Sequence, residues 1–190
     1  LHLSLRRQRQ MCIRDRITIE SVRTHHSLRG LGMSNFIVKK VAVLGAGVMG
    51  AQIAAHCVNA KVPVILFDLP AKDGTKNGTV LRAIENLKKL SPAPLANVDY
   101  ASLIEVANYE DDLDKLKDCD LIIEAIAERM DWKHDLYKKV APHIAANTIF
   151  ASNTSGLSIT ALSDGFAADL KARFCLSLIH ISEPTRQAEI

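Results

Sequence analysis

Short hydrophobic runs alternate with longer amphipathic stretches along the chain from residue 39 onward. The runs are rich in Val, Ile and Leu, as expected for buried parallel strands. The four clearest runs occupy residues 40–44, 62–67, 121–126 and 148–151. Apolar positions at helical spacing predict helices that end at Asn59 and that extend over 74–90 and 131–146. This alternation predicts an α/β fold, a doubly wound parallel sheet with helices on both faces.

The segments between these elements have weaker patterns. Residues 91–98 contain two prolines and predict a loop, whereas 111–118 predict a short acidic helix. Residues 100–108 are ambiguous, and we expect a short helix that leads into a brief strand. Residues 173–175 begin a further element.

A glycine motif of the form G-x-G-x-x-G joins the first strand to the first helix. Gly45 permits a tight turn, Gly47 lets backbone approach a pyrophosphate, and Gly50 allows close contact between helix and strand. The helix N-terminus adds free N–H groups and partial positive charge. Because such a motif alone also serves ordinary turns, the flanking strand and helix are what favour a dinucleotide site.

Asp68 ends the second predicted strand, at about the ~20-residue separation expected for a carboxylate that binds the adenosine ribose. A carboxylate there repels the 2′-phosphate of NADP, so the sequence favours NAD as the cofactor. Without the motif, Asp68 would be an ordinary helix cap or a solvated loop acid. Lys72 nearby is the one residue that would favour a phosphate.

Three segments together resemble the NAD-binding domain of 3-hydroxyacyl-CoA dehydrogenases. They are VLGAGVMG at 43–50, IEAIAE at 123–128 and ASNTSGL at 151–157. The resemblance covers about residues 39–175, and the loop at 91–95 is similar to the bacterial bifunctional dehydrogenase/enoyl-CoA hydratase. It implies a Rossmann-type sheet, truncated before the family's C-terminal helical domain.

The same resemblance implies roles for individual residues. The implied cofactor-binding residues are Gly45, Gly47, Val48, Met49, Gly50, Asp68, Ile126, Ala127, Glu128, Lys133 and Ser155. Ser155 is also expected to assist catalysis near the reacting hydroxyl, and Lys133 to face cofactor and substrate. Glu124 interrupts an apolar strand, and we expect it to make a structural hydrogen bond.

The family's catalytic histidine is expected to be absent. In the family it lies five residues after the Arg of an Arg-Phe pair, and here Arg173 of Arg173-Phe174 places Leu178 at that position. His180 is out of register. The resemblance therefore implies a chain that binds NAD but lacks the base for oxidising (S)-3-hydroxyacyl-CoA to 3-oxoacyl-CoA in fatty-acid β-oxidation.

Two other functions remain open. The chain could be a non-catalytic Rossmann nucleotide-binding module, or part of another NAD-dependent hydroxy-acid dehydrogenase. For the full-length enzyme we expect an acyl-CoA substrate and a homo-oligomer. A cytoplasmic location is expected for a bacterial protein, and a mitochondrial or peroxisomal one for a eukaryotic protein.

The net charge of +3 is unevenly distributed along the chain. Seven arginines precede Met33, whereas residues 33–175 hold 16 basic and 17 acidic residues, a net of −1. The central segment therefore gives no support to nucleic-acid binding. No apolar run is long enough to span a bilayer, and the four cysteines lack the paired spacing of a zinc site. We therefore expect neither a membrane partner nor a bound metal ion.

The two ends have an unusual relation at the level of coding bases. Residues 11–16 can be written ATG TGT ATA AGA GAC AG, and the reverse complement of these bases encodes 176–180 and begins 181. Both ends resemble transposase adapters used in sequencing libraries. We therefore expect adapter-like, non-native segments at 1–16 and 176–190, a leader of undecided origin at 17–32, and the NAD-binding domain at 33–175.

Overall fold

The structure, a computed structural model, describes residues 36–72 and 74–177, and its centre is a six-stranded sheet in which every strand pairing is parallel. The strands are β1 (Val41–Leu44), β2 (Val64–Asp68), β3 (Ile104–Asn108), β4 (Leu121–Glu124), β5 (Ile149–Ser152) and β6 (Phe174–Leu176). Their spatial order is 3-2-1-4-5-6, the order of a doubly wound dinucleotide-binding sheet. The predicted fold class is confirmed.

Helices cover both faces of this sheet. They are α1 (Val48–Asn59), α2 (Gly78–Leu87), α3 (Met130–Val140), α4 (Ile159–Ser163) and α5 (Ala168–Lys171), with 3-10 helices at Val98–Leu103, Leu113–Asp118 and Ala141–His143. Successive β1 residues alternate between the faces, since Val41 and Val43 join the hydrophobic cluster under α1 and α2, and Ala42 and Leu44 join the cluster under α3.

Several predicted elements end earlier than the sequence pattern indicated. The helix expected over 131–146 stops at Val140 and continues only as a 3-10 turn, because Pro142 cannot donate the hydrogen bond that an α-helix requires. The acidic segment 111–118 is also a 3-10 helix. The strand expected over 121–126 ends at Glu124, since the Ile126 N–H donates to the Glu124 carboxylate at 2.8 Å.

The last described strand continues one residue past the expected domain end at Cys175. Leu176 pairs with Ser152, and the Ser177 N–H donates to the Ser152 carbonyl at 2.9 Å. Residues 1–35 and 178–190 lie outside the described residues, and the four proposed segments remain predictions. No helix in the described ranges is long and apolar enough to cross a membrane.

Candidate functional site

The turn between β1 and α1 can be built only with glycine at two positions. Gly45 has a φ of +108°, and a Cβ there would lie 2.9 Å from the Ala125 carbonyl oxygen. A Cβ on Gly50 would lie 1.8 Å from the Gly45 carbonyl oxygen, which is far inside van der Waals contact. Gly47 differs, because nothing lies within 4 Å of its Cβ position. The turn is therefore tightly packed at Gly45 and Gly50, whereas the space beside Gly47 is open.

The N-terminus of α1 lies at this open side. Gly47 is the N-cap residue, no side chain caps the helix, and no acidic residue occupies its first turn. Val48 and Met49 are 73% and 54% exposed, so apolar side chains flank the free N–H groups. A helix N-terminus of this kind binds phosphate through its N–H groups and its dipole.

Asp68 ties the glycine turn to the end of β2. Its Oδ2 accepts from the Ala46 N–H at 2.6 Å, and its Oδ1 accepts from the Leu69 N–H at 2.7 Å. A carboxylate offers about four acceptor positions. Two of them remain for ligand hydroxyls, and binding of the adenosine ribose by Asp68 stays a prediction.

A cavity of about 540 Å³ opens at the carboxyl ends of the strands. Gly45, Gly47 and Asp68 line one side of it, and Ile126 and Ala127 line the side that follows β4. Between β1 and β4 the strand order reverses, which is where doubly wound sheets bind their ligands. The volume lies within the usual range for small-molecule and cofactor sites.

One face of α3 forms the far wall of this cavity. Trp132, Asp135, Leu136 and Lys139 line it at helical spacing. The guanidinium of Arg129 lies 4.5 Å from the centre of the Trp132 ring. These four residues are additional to the predicted site, although their i, i+3, i+4 and i+7 positions on one helix face were a detectable signal.

Glu128 joins the loop after β4 to the loop after β5. Its Oε1 accepts from the Ser155 N–H at 2.7 Å, the Ser155 hydroxyl at 2.9 Å and the Gly156 N–H at 3.2 Å. These hydrogen bonds, led by the Ser155 N–H, hold the pKa of Glu128 below its usual value. The Ser155 hydroxyl therefore donates to Glu128 in this structure, a contact that the sequence did not predict.

The Glu128 hydrogen bonds make stability depend on pH. Because its folded-state pKa is lowered from 4.5, the stabilisation is fully present above about pH 5 and is lost as the pH falls through the folded-state value. Glu128→Gln keeps an acceptor but removes the charge, so we expect Tm to fall by about 1–2 °C at pH 7 after allowance for solvent screening. The difference should vanish at acid pH in thermal melts.

The variant Glu110→Gln is the matched control, because it removes one carboxylate at another exposed position and is melted under the same conditions. If wild type and Glu128→Gln differ equally at pH 7 and pH 3, the charge of Glu128 does not stabilise the loop after β5.

Lys133 lies one turn into α3, as the sequence predicted, and its side chain enters the core. Its side chain is 0% exposed, and its Nζ donates to Glu124 Oε1 at 2.5 Å within the core. Glu124 also accepts from the Tyr137 and Ser152 hydroxyls, each at 2.7 Å, so its predicted structural hydrogen bonding is confirmed. Contact of Lys133 with cofactor and substrate stays a prediction.

The predicted site residues thus fall into four groups. Gly45, Gly47, Asp68, Ile126 and Ala127 line one cavity. Gly50, Val48 and Met49 belong to the adjoining turn and helix start, and Glu128 and Ser155 form a hydrogen-bonded pair beyond Ala127. Lys133 is buried. In the described part of the chain, no group of three or more His, Cys, Asp or Glu side chains is placed to hold a metal ion.

A glycine turn and a carboxylate at neighbouring strand ends of such a sheet define a dinucleotide-binding domain of the Rossmann type. Residues 40–188 match the family described as 3-hydroxyacyl-CoA dehydrogenase, NAD binding domain. The chain belongs to this family, whose cofactor is NAD.

Individual proteins agree with this assignment. The chain is 45% identical over 138 residues to a probable 3-hydroxyacyl-CoA dehydrogenase of Deinococcus radiodurans, covering 72% of this chain and 40% of that protein. It is 34% identical over 134 residues to the mitochondrial hydroxyacyl-coenzyme A dehydrogenase of Sus scrofa, covering 67% of this chain and 42% of that protein.

Among solved structures, the 3-hydroxybutyryl-CoA dehydrogenase of Escherichia coli K12 aligns with a TM-score of 0.58 at 28% identity. The alignment covers 73% of this chain and 29% of that one. The chain therefore spans less than half the length of these relatives.

Proposed function

We propose that this chain binds NAD in the cavity at the β1–β4 switch point and serves as the cofactor domain of an enzyme that oxidises (S)-3-hydroxyacyl-CoA. One observation carries the proposal: the glycine turn and Asp68 open onto the same cavity. Gly47 has room above it for a pyrophosphate, and the carboxylate of Asp68 keeps free acceptor positions.

Different residues of the site would bind different parts of the dinucleotide. The N–H groups at the start of α1 hold the diphosphate, and Asp68 accepts from the hydroxyls of the adenosine ribose. Ile126 and Ala127 lie under the nicotinamide half, with Glu128 beside them. Glu128 in turn orients Ser155 toward the reacting hydroxyl of the substrate.

NAD supplies the hydride acceptor, and the protein must supply a base for the hydroxyl proton. By the family resemblance, Leu178 stands at the position of that base, outside the described residues, and a leucine side chain cannot accept a proton. His56, His134 and His143 lie on helical segments; His134 contacts the Ala161 carbonyl oxygen at 3.1 Å and His143 contacts Asp114 at 3.2 Å. We therefore infer binding of NAD without turnover.

The first test of this function is cofactor preference. Asp68→Asn keeps an acceptor but loses the charge that repels a 2′-phosphate, so we expect the ratio of NAD to NADP affinity to fall about tenfold. Trp132, the chain's single tryptophan, lines the cavity and reports binding by its fluorescence.

Asp99→Asn, exposed on the helix Val98–Leu103 and away from the cavity, is the matched control. Equal affinity of the wild-type chain for NAD and NADP would contradict the proposed role of Asp68, and absence of binding to both would contradict the proposed function.

The second test is turnover, followed as NADH absorbance with a 3-hydroxyacyl-CoA. The 190-residue chain should show no turnover, because Leu178 stands at the position of the base and a missing base costs about 10²–10⁴-fold. A chain restored through the family's histidine motif and C-terminal domain should be active. Comparable turnover by both would place the base elsewhere in the printed chain.

The wider setting of the enzyme follows from its relatives, which come from bacteria and from mitochondria. We infer that the full-length protein acts on acyl-CoA as a homo-oligomer, in the bacterial cytoplasm or in the corresponding organelle of a eukaryote. Size measurement of the full-length protein by light scattering tests the oligomer.

A further inference from the structure

Tyr109 is a cavity residue to which the sequence motifs assign no role. It directly follows β3, and its backbone N–H donates to the Asp68 carbonyl at 3.2 Å. Its ring stacks on Phe67, with centroids 6.0 Å apart and an interplanar angle of 13°. The side chain is 4% exposed. The ring is therefore held firmly beside the end of β2.

The hydroxyl of Tyr109 is buried without a hydrogen-bond partner among residues 36–72 and 74–177. Buried polar groups are satisfied in the great majority of proteins, so such a group calls for a specific explanation. Tyr109 also lines the cavity that holds Gly45, Gly47 and Asp68. An unsatisfied donor therefore belongs to the wall of the proposed cofactor site.

The electrostatic surroundings keep this hydroxyl protonated. Burial raises the pKa of Tyr109 well above its usual value, and the nearby carboxylates of Asp68 and then Glu124 raise it further, whereas the backbone N–H of Gly45 opposes the rise. A protonated phenol can donate, and the cavity needs a ligand oxygen to accept. A ribose hydroxyl can accept from the phenol and donate to Asp68 at the same time.

We propose that the Tyr109 hydroxyl donates a hydrogen bond to an oxygen in the ADP half of the bound dinucleotide, which makes Tyr109 a binding and positioning residue of the site. The ADP half is favoured because Tyr109 shares its wall of the cavity with Asp68 and with the glycines of the phosphate turn. This inference rests on the proposed function.

Tyr109→Phe isolates the hydroxyl, because it keeps the ring and its stacking on Phe67. Affinities of the 190-residue chain for NAD, ADP and nicotinamide mononucleotide are measured by Trp132 fluorescence and calorimetry. We expect NAD and ADP to bind about threefold to tenfold more weakly, the range for one net hydrogen bond, and nicotinamide mononucleotide to bind unchanged.

The other two tyrosines of the chain are matched controls. Tyr100→Phe lies among the residues packed under α1 and α2 and should leave affinity unchanged. Tyr137→Phe removes a hydrogen bond to Glu124 and should lower Tm, whereas Tyr109→Phe should leave Tm unchanged or raise it, since it removes an unsatisfied buried group.

The remaining outcomes distinguish failure of the Tyr109 inference from failure of the proposed function. Equal NAD affinity of wild type and Tyr109→Phe overturns the inference alone. A Tm loss for Tyr109→Phe similar to that of Tyr137→Phe shows a structural role and also overturns it. Absence of NAD binding by a folded wild-type chain overturns the proposed function and, with it, this inference.

Discussion

Gly50→Ala is expected to lose both stability and NAD binding. The added methyl group would lie 1.8 Å from the Gly45 carbonyl oxygen and 3.3 Å from Val43 Cγ1, so α1 must move away from β1. Overpacking of this kind costs about 3 kcal/mol, which corresponds to a Tm lower by about 6–12 °C. The displaced helix carries the N–H groups that we assign to the diphosphate.

Gly47→Ala separates the two losses. Nothing lies within 4 Å of this Cβ position, so only the small cost of alanine at an N-cap is expected, and Tm should change by a few degrees at most. The methyl group would nevertheless project into the space where backbone approaches the dinucleotide, so NAD affinity should fall at least tenfold. Denaturant titration and Trp132 fluorescence measure the two effects.

A Gly50→Ala chain as stable as wild type would show that β1 and α1 are not held as closely as described.

The sheet and the glycine turn between β1 and α1 could be predicted because their signals are local. Each strand is a short apolar run, and Gly45, Gly47 and Gly50 lie between a strand and a helix within one stretch of sequence. Asp68 follows at a separation that the βαβ unit itself sets. Helix ends were less predictable, since the apolar pattern past Val140 persisted although Pro142 stops the α-helix.

Tyr109 could not be predicted as a cavity residue, because its place depends on contacts between distant segments, whereas the cavity residues of α3 had a detectable helical spacing. Tyr109 lines the cavity only because β3 pairs with β2 and the Tyr109 N–H then donates to the Asp68 carbonyl. Lys133 shows the same limit. Its spacing from Glu128 placed it one turn into α3, as observed, but the pattern did not show that its ammonium pairs with Glu124 on β4.

The buried Glu124 carboxylate connects three elements on the side of the cavity that follows β4. Its Oε1 accepts from the Ile126 N–H and from Lys133 on α3, and its Oε2 accepts from Tyr137 on α3 and Ser152 on β5. Four donors surround one carboxylate that is 0% exposed. The path of the chain from Ile126 to Glu128 therefore depends on this carboxylate.

Lys133→Met is expected to destabilise the chain by about 3–5 kcal/mol, measured by urea denaturation without NAD. The methionine fills most of the lysine volume, so the loss arises mainly from leaving the Glu124 charge buried without its cation.

The double variant Glu124→Gln/Lys133→Met removes both charges, while the glutamine can still accept from the Ile126 N–H. We expect it to recover at least half of the lost stability, because replacing a whole buried ion pair costs far less than breaking it. Additive losses in this double-mutant cycle would show that the two charges do not stabilise each other. If instead Lys133→Met leaves stability intact and weakens NAD binding, the ammonium acts on the cofactor and the pairing with Glu124 has no energetic role.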